Sequence, residues 1–180
     1  EIQVPSGNRV IIIGGGIIGT TLASFLAREG QKVTLVERDT IGLGTTSKNT
    51  GVLALVSRPA DARAVMAFYG RMIYEALKVE MDDAFYIDRK GTLVVLAKGS
   101  HAGLEFLEEN CRGIQSFGAE AEILDGAEVK RRVAGLGVEV EAGLLDPSGA
   151  LVDAVLISKA MLSDAVSRGA EVREHEPVKS

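Results

Sequence analysis

The sequence has little of the side-chain chemistry that builds disulfides and metal centres. Its 180 residues include one cysteine and two histidines. A single cysteine cannot form an intrachain disulfide, so the sequence is compatible with a reducing compartment. Neither His101 nor His175 stands at metal-ligand spacing from Cys111 or from a pair of carboxylates. The sequence therefore predicts no metal site.

The sequence also lacks an excess of positive charge and a long apolar run. The formal net charge is −5 at pH 7, which argues against a nucleic-acid partner held through its phosphates. Every apolar run is far shorter than the roughly 20 residues that span a bilayer, and no cleavable signal precedes the first run. With 46% hydrophobic and 25% charged residues, the composition is that of a globular protein. We therefore expect a soluble, cytoplasmic globular protein.

A strand, a glycine turn, a helix and a second strand follow one another at the start of the sequence. Residues 9–13 are almost uninterrupted β-branched residues, which is typical of a strand buried on both faces of a parallel sheet. After three glycines at 14–16, the spacing of Ile18, Leu22 and Leu26 predicts a helix over 17–29. A second apolar strand follows over 32–37. This order predicts a βαβ unit, and a helix over 153–168 with a strand over 171–175 extends it.

The middle of the sequence differs from its two ends. Residues 61–80 have the pattern of an amphipathic helix, with Tyr69 and Met72 on the apolar face and Arg71 on the polar face. Strands over 85–88 and 92–97 are predicted to form a β-hairpin or to lie side by side. Helices over 101–117 and 125–133 and a strand over 138–145 follow. The predicted fold class is α/β, with a Rossmann-like dinucleotide-binding domain over 1–79 and 146–180 and an inserted α+β domain over 80–145.

The glycine turn carries a dinucleotide-binding motif. Gly14, Gly16 and Gly19 fit the pattern G-x-G-x-x-G between a predicted strand and a predicted helix. Glu37 lies 18 residues beyond Gly19, at the end of the next strand, where a carboxylate accepts hydrogen bonds from an adenosine ribose. An acidic residue there disfavours NADP but does not separate NAD from FAD. The alternative is a glycine turn in an unrelated α/β protein, with Glu37 as a solvated carboxylate.

A second polar segment follows Glu37 and favours FAD. Residues 41–51 are rich in glycine, threonine, serine and asparagine, and they precede an apolar segment over 52–56 that we predict to be helical. Hydroxyl and backbone N–H groups in such a loop are suited to a second anionic stretch of cofactor. The alternative is a flexible surface loop.

Together these segments resemble a known family of flavoproteins. They read VIIIGGGIIGTTLASFLAREGQKVTLVER, GLGTTSKNTGVL, LLDPSGALVD and EVREHEPV, in this order. The chain resembles the FAD-dependent oxidoreductases that include D-amino-acid oxidases, sarcosine and glycine oxidases, glycerol-3-phosphate dehydrogenases and L-2-hydroxyglutarate dehydrogenases. The resemblance implies an FAD-binding domain into which an antiparallel substrate domain is inserted.

The resemblance also implies which residues contact FAD. The three motif glycines cradle the pyrophosphate, Glu37 binds the adenosine ribose, and Val178 presents its backbone to the adenine. Thr46, Ser47 and Asn49 lie beside the pyrophosphate and the flavin. No histidine stands between residues 45 and 51, where some relatives attach flavin covalently, so FAD is expected to be non-covalent. The full implied cofactor set is Gly14, Gly16, Ile17, Ile18, Gly19, Glu37, Arg38, Thr45, Thr46, Ser47, Asn49, Thr50, Gly51 and Val178.

Within the family, SKNTGVLALVSR resembles the glycerol-3-phosphate and hydroxyacid dehydrogenase branch. Ala54 stands where that branch often has histidine, which is a departure from its pattern. Arg58 stands where the glycerol-3-phosphate dehydrogenase pattern also has an arginine, and it is predicted to bind an anionic group of the substrate. The alternative for Arg58 is a solvated surface arginine.

The function that the resemblance implies is oxidation of a small CH–OH substrate, such as glycerol-3-phosphate or a 2-hydroxy acid, by hydride transfer to flavin N5. The alternatives are oxidation of an amine or amino acid, an NAD-dependent dehydrogenase, and a non-catalytic FAD-binding module. Family members are much longer, so the resemblance implies a truncated chain that needs a missing C-terminal half or a partner chain for turnover. The electron acceptor stays open, and a membrane-associated acceptor is among the candidates.

Overall fold

The computed structural model describes residues 9–57, 59–100 and 103–179. They form a mixed α/β structure, which confirms the predicted class. The described residues divide into two compact units. The first unit contains residues 9–51, 81–86 and 152–179, and the second contains the described residues between 52 and 80 and between 87 and 151.

The elements alternate between strands and helices along most of the chain. The strands are β1 (Arg9–Ile13), β2 (Lys32–Val36), β3 (Val52–Leu53), β4 (Ile87–Arg89), β5 (Thr92–Ala97), β6 (Glu122–Asp125), β7 (Val140–Asp146), β8 (Ala150–Val152) and β9 (Glu171–Arg173). The helices are α1 (Ile17–Arg28), α2 (Ala62–Glu80), α3 (Gly103–Ser116), α4 (Gly126–Arg132) and α5 (Ala154–Ser167). Within residues 9–57, 59–100 and 103–179, no helix is both long enough and apolar enough to cross a membrane.

The first unit is built on a parallel sheet with strand order β1-β2-β9. Helix α1 connects β1 to β2, so the predicted βαβ unit is confirmed. Gly30 ends α1 in the left-handed region, with φ +72°, and donates its N–H to the carbonyl of Ala27. At the start of α5, the Asp153 carboxylate caps the helix by accepting from the N–H groups of Val155 and Leu156. Turn and cap chemistry therefore set these helix ends as the sequence indicates.

The side chains that the first unit buries differ from the predicted ones. Strand β1 was expected to be buried on both faces, but Ile11 and Ile13 are 63% and 68% exposed and only one face meets the core. Helix α1 likewise leaves Ile18 exposed. The reason is that α1 packs against its neighbours through small side chains. Its buried residues are Thr20, Ala23, Ser24 and Ala27.

A charged network joins α1 to α5. The Asp164 carboxylate accepts hydrogen bonds from the Ser24 hydroxyl at 2.6 Å, from Arg28 Nε at 2.9 Å and from Arg168 Nε at 3.1 Å. Burial raises the pKa of Asp164, but the hydrogen bonds from the three partners together outweigh it, so the pKa lies below the ordinary value of 3.8. The folded state therefore holds Asp164 as a carboxylate.

We expect this network to make the first unit sensitive to acid. Because the folded pKa of Asp164 is lowered, its stabilising contribution is fully present above pH 3.8 and is lost as the pH falls through the folded pKa. In urea unfolding, Asp164→Asn should lower the free energy of unfolding at pH 7. As the pH falls from 5 to 2, the free energy of unfolding of this variant should decrease less than that of the parent. The exposed Asp39→Asn is the control, and an equal acid response in both variants would contradict the assignment.

The second unit contains two small sheets and their helices. One sheet has strand order β5-β7-β6, in which β7 pairs antiparallel with both neighbours, and the other has order β3-β8-β4. Its main core lies against the first of these sheets. The buried core residues are Leu55, Val56, Leu96, Leu107, Cys111, Ile114, Ala119, Ala121, Ala142 and Leu144. The predicted helix over 125–133 is present as α4, with Asp125 accepting from the Glu128 N–H at 2.8 Å.

Two local predictions in this unit are wrong. Strands β4 and β5 do not pair as a hairpin, because β5 pairs along its length with β7 and β4 lies beside β8. Residues 52–56 are not helical, because β3 pairs antiparallel with β8 and the chain then turns. Leu55 and Val56 are each 1% exposed after this turn.

The faces of α2 are also reversed relative to the prediction. Tyr69 and Met72 are 56% and 53% exposed, whereas Arg71 is 8% exposed. The cause is an ion pair between Arg71 and Asp146, which is itself completely buried at the end of β7. Helix α2 therefore belongs to the second unit, whereas the predicted dinucleotide-binding domain, 1–79 with 146–180, included most of it. The functional assignment of the domains, with 80–145 as the substrate domain, stays a prediction.

Candidate functional site

The glycine turn brings the end of β1 close to the start of α1. Gly14 has φ +107° and donates its N–H to the carbonyl of Val36 at 2.8 Å. A Cβ on Gly19 would overlap the carbonyl oxygen of Gly14, so the first turn of α1 passes directly against the loop. Gly14 and Gly19 are therefore glycine for different reasons, one for its backbone conformation and the other for close approach.

Thr46 caps α1 from a distant part of the chain. Gly16 is the N-cap residue and has no side chain to bind the helix N–H groups. The Thr46 hydroxyl instead accepts a hydrogen bond from the Ile17 N–H at 3.0 Å, across 29 residues of sequence. A Cβ on Gly16 would lie 2.9 Å from this hydroxyl oxygen. Glycine at position 16 thus makes room for Thr46 beside the turn.

Glu37 lies on the other side of the turn, directly after β2. One carboxylate oxygen accepts from the Gly15 N–H at 2.6 Å and the other from the Asp39 N–H at 2.9 Å. The Gly15 N–H, and after it the Asp39 N–H, holds the pKa of Glu37 below its ordinary value. Each oxygen retains a further lone pair, so the charged carboxylate can also accept from a hydroxyl group.

The segment after β9 runs along the residues that follow Glu37. The Glu176 N–H donates to the Glu37 carbonyl at 3.0 Å, and the Ile41 N–H donates to the Glu174 carboxylate at 2.7 Å. Val178 follows in this segment and is 57% exposed. Arg38 is also exposed and forms an ion pair with Asp39 at 3.2 Å. The resemblance assigns Val178 to the adenine and includes Arg38 in the cofactor set, and in the structure both residues are exposed.

Residues 45–51 fold into a compact polar segment. Thr45–Lys48 form a single 3₁₀ turn in which the Ser47 hydroxyl donates to the Leu43 carbonyl at 2.9 Å. The Asn49 amide donates to the Thr46 carbonyl and accepts from the Gly51 N–H. Gly51 has φ +66°, and its carbonyl accepts from the Val152 N–H at 2.8 Å. Serine and asparagine thus shape the backbone that the sequence predicted as a ligand surface.

A cavity of about 230 Å³ lies beside this polar segment in the first unit. Its lining includes predicted residues and residues that sequence reasoning missed. The missed residues are Tyr86, Val152, Asp153, Ala154 and Val155. Asp153 carries a helix-capping signal in the sequence, but nothing near Tyr86 marks it as a cavity residue. The predicted lining residues are Thr46, Ser47, Asn49, Thr50 and Gly51.

The structure thus brings part of the predicted set into direct contact. Glu37 and Thr46 both touch the glycine turn, through Gly15 and Ile17 respectively. Ile18 and Thr45 are exposed beside them. Arg58 lies outside the described residues.

The arrangement is suited to an anionic dinucleotide. The first turn of a helix leaves N–H groups without partners inside the helix and carries a partial positive charge, and a glycine turn lets a pyrophosphate approach them. A Cβ at Gly16 would crowd Thr46 Oγ1 and one at Gly19 would overlap the Gly14 carbonyl oxygen, so both glycines keep the turn close to the start of the helix. The Glu37 carboxylate beside the turn suits a ribose hydroxyl, which donates hydrogen bonds. The residues present therefore fit a bound dinucleotide such as FAD.

Comparison with known proteins gives a family match over nearly the whole chain. A profile of the family described as "FAD dependent oxidoreductase" matches residues 9–180. The anaerobic glycerol-3-phosphate dehydrogenase subunit A1 of Haloferax volcanii is 27% identical over 175 residues, which cover 94% of this chain and 28% of that protein. The mitochondrial pyruvate dehydrogenase phosphatase regulatory subunit of Mus musculus is 26% identical over 180 residues, which cover 99% of this chain and 20% of that protein.

A solved structure matches the fold closely. The crystal structure of L-proline dehydrogenase from P. horikoshii superposes with a TM-score of 0.84 at 26% sequence identity. The match covers 98% of this chain and 46% of that one. The chain thus spans less than half the length of each of these three proteins.

Proposed function

Because the chain belongs to the FAD-dependent oxidoreductase family, we propose that its first unit binds FAD non-covalently between the glycine turn, Glu37 and residues 45–51. The observation that carries this proposal is that Glu37 accepts from the Gly15 N–H of the glycine turn while Thr46 accepts from the Ile17 N–H directly after it. When bound, FAD supplies an isoalloxazine ring that accepts a hydride from substrate. The chain supplies binding, orientation and charge.

The adenosine half of the site is assigned to the glycine turn and the two segments beside it. Gly14, Gly16 and Gly19 leave space for the pyrophosphate beside Ile17 and Ile18 in the first turn of α1. Because the Ile17 N–H is donated to Thr46, the Ile18 N–H is the one assigned to the pyrophosphate. Glu37 accepts hydrogen bonds from the ribose. Arg38 and the backbone of Val178 lie at the adenine end of the site.

The flavin half is assigned to the polar segment. Thr45, Thr46 and Ser47 lie beside the pyrophosphate, where the Ser47 hydroxyl shapes the backbone through the Leu43 and Gly44 carbonyls. Asn49 holds the backbone of the segment through its contacts with Thr46 and Gly51. Thr50 and Gly51 then extend the surface along the flavin.

The substrate is a small molecule with an oxidisable CH–OH group, such as glycerol-3-phosphate or a 2-hydroxy acid, and Arg58 binds its anionic group. The relative named as a glycerol-3-phosphate dehydrogenase subunit supports this class. The structure named as L-proline dehydrogenase supports the alternative CH–NH class. A further segment or a partner chain completes the active site, since the chain spans less than half of each protein. The proposal leaves the electron acceptor open, and a membrane-associated acceptor is among the candidates. It includes no nucleic-acid partner. The cytoplasmic location stays a prediction.

Absorbance and turnover test the proposal. The purified protein should carry oxidised flavin, which is yellow, whereas bound NAD would leave it colourless. The full-length parent protein should reduce an artificial dye acceptor with one of glycerol-3-phosphate, a 2-hydroxy acid or an amino acid, and the 180-residue chain alone should not. Absence of flavin from both proteins after reconstitution with FAD would contradict the proposed site.

A second candidate function is a non-catalytic FAD-binding module. The relative named as a phosphatase regulatory subunit favours it, because that protein is named for regulation and matches 99% of the chain. The same experiment separates the two functions. A full-length protein that binds FAD but shows no dye reduction with any substrate of these classes would favour the module.

We expect Glu37→Ala to weaken FAD binding by about 1–3 kcal/mol, because it removes a charged acceptor of ribose hydrogen bonds. Titration of FAD into the apoprotein, followed by flavin fluorescence, measures the change. Glu29→Ala, at the exposed opposite end of α1, is the matched control and should leave the affinity unchanged. Equal affinities of Glu37→Ala and the parent would remove Glu37 from the site.

A further inference from the structure

A second cavity, of about 150 Å³, lies within the second unit. Its walls come from β3, from the turn after β3 and from one face of α2. Most of the lining is apolar or small, and its two polar side chains are those of Arg71 and Tyr74. The lining residues are Val52, Leu53, Ala54, Leu55, Ala67, Gly70, Arg71 and Tyr74. None of them belongs to the proposed FAD site.

Arg71 is fixed at one end of its guanidinium group. Its Nη1 atom donates to both carboxylate oxygens of Asp146, at 3.2 and 3.0 Å. Its carbon Cζ lies 6.0 Å from the ring centre of Phe68. The edge formed by Nε and Nη2 makes no hydrogen bond with any described residue, although the side chain is only 9% exposed. A mostly buried arginine that lines the cavity thus has one edge without an acceptor from the described residues.

Asp146 cannot supply that acceptor as well. Besides Arg71, its oxygens accept from the Leu55 N–H at 3.2 Å and from the Ser148 N–H and hydroxyl at 3.1 and 3.0 Å. These contacts hold the carboxylate at the Nη1 end of the guanidinium. Within the described residues, the Nε–Nη2 edge therefore has no acceptor of its own and is available to a ligand.

The rest of the lining favours a short acceptor with a small apolar body. Burial raises the pKa of Tyr74 above its ordinary value, so its phenol stays protonated at neutral pH. Ala67 and Gly70 leave the helix side of the cavity open, and a Cβ built on Gly70 meets no atom within 4 Å. A cavity of this volume equals the liquid volume of about five water molecules. It therefore has room for about five non-hydrogen atoms.

We propose that this cavity binds a carboxylate of two or three carbon atoms through the Nε–Nη2 edge of Arg71. The planar arginine edge offers two parallel N–H donors that match the two oxygens of a carboxylate, which a lysine cannot reproduce. Because Asp146 offsets the charge of Arg71, we expect modest affinity, with a dissociation constant on the order of 1 mM. The proposal does not rest on FAD binding, since all its residues lie in the second unit.

The proposal is tested by titrating acetate into the 180-residue chain. The amide and side-chain Nε–H signals of Arg71 are followed by NMR while sodium acetate replaces sodium chloride at constant ionic strength. We expect a saturable shift of the Arg71 Nε–H signal with acetate and none with acetamide, which has a similar shape but no charge. Arg63→Lys, on the exposed side of the same helix, should leave the titration unchanged.

Two variants decide the assignment. Arg71→Lys keeps a positive charge beside Asp146 but loses the paired donors, and Gly70→Val fills the cavity without touching the ion pair. Because lysine has no Nε–H group, both variants are followed through the backbone amide signal of residue 71, and both should abolish the saturable acetate shift of that signal. If Arg71→Lys does not fold, Gly70→Val alone decides. No saturation in the parent, equal binding of acetamide, or unchanged acetate binding by Gly70→Val would each overturn the proposal.

Discussion

Replacing Asp146 with alanine is expected to lower the free energy of unfolding by about 3–5 kcal/mol, the cost of leaving one partner of a buried ion pair uncompensated. Asp146 is completely buried and its Arg71 partner is 8% exposed. The carboxylate also binds the Leu55 N–H, so the substitution frees the turn after β3 at the same time. Urea unfolding followed by far-UV circular dichroism measures the loss.

The control for Asp146→Ala is Glu108→Ala. Glu108 also pairs with an arginine, Arg112 of α3, but that pair is exposed to solvent. Solvent-exposed ion pairs contribute little, so the control should stay close to the parent. Comparable losses in the two variants would show that burial does not set the strength of the Arg71–Asp146 pair.

The second large effect is expected for Gly51→Ala. Gly51 has φ +66°, and a Cβ there would overlap the carbonyl oxygen of Val152. Left-handed strain contributes about 1–2 kcal/mol and overpacking about 1–3 kcal/mol, so the total loss of unfolding free energy should be about 2–5 kcal/mol. Differential scanning calorimetry of parent and variant measures it.

Gly30→Ala separates the two contributions. Gly30 has φ +72°, but a Cβ built there meets nothing within 4 Å. It should therefore show the left-handed strain alone, and Gly51→Ala should be the more destabilising of the two. The reverse order would mean that the chain near Val152 yields easily to an added methyl group.

Local signals in the sequence were sufficient for the first unit's backbone. The glycines of the turn, Gly30 after α1 and Asp153 before α5 each act on their immediate neighbours, and the predicted elements around them are present. The same holds for the contact between the turn and Glu37, which follows from the spacing of a βαβ unit. Prediction from sequence succeeds where the residues that determine an element lie within it or next to it in the sequence.

Partners far along the chain explain the failures. The apolar run over 52–56 is too short for its periodicity to separate strand from helix, and its strand partner β8 begins about a hundred residues later. The polar face of α2 was assigned from the charge of Arg71, whose partner Asp146 is 75 residues away. Tyr86 reaches the first unit's cavity through tertiary folding, for which its neighbours in sequence carry no signal.

The cap that Thr46 provides to α1 makes the first helical turn cooperative with a segment 29 residues away. An ordinary N-cap residue would let that turn form or fray independently, but here its amide is protected only while residues 45–48 are in place. By thermodynamic linkage this coupling is reciprocal: order in residues 45–48 stabilises the first helical turn by the same free energy as order in that turn stabilises residues 45–48. The amide proton of Ile17 is therefore an internal reporter, through its exchange with solvent, of the conformation of the distant polar segment.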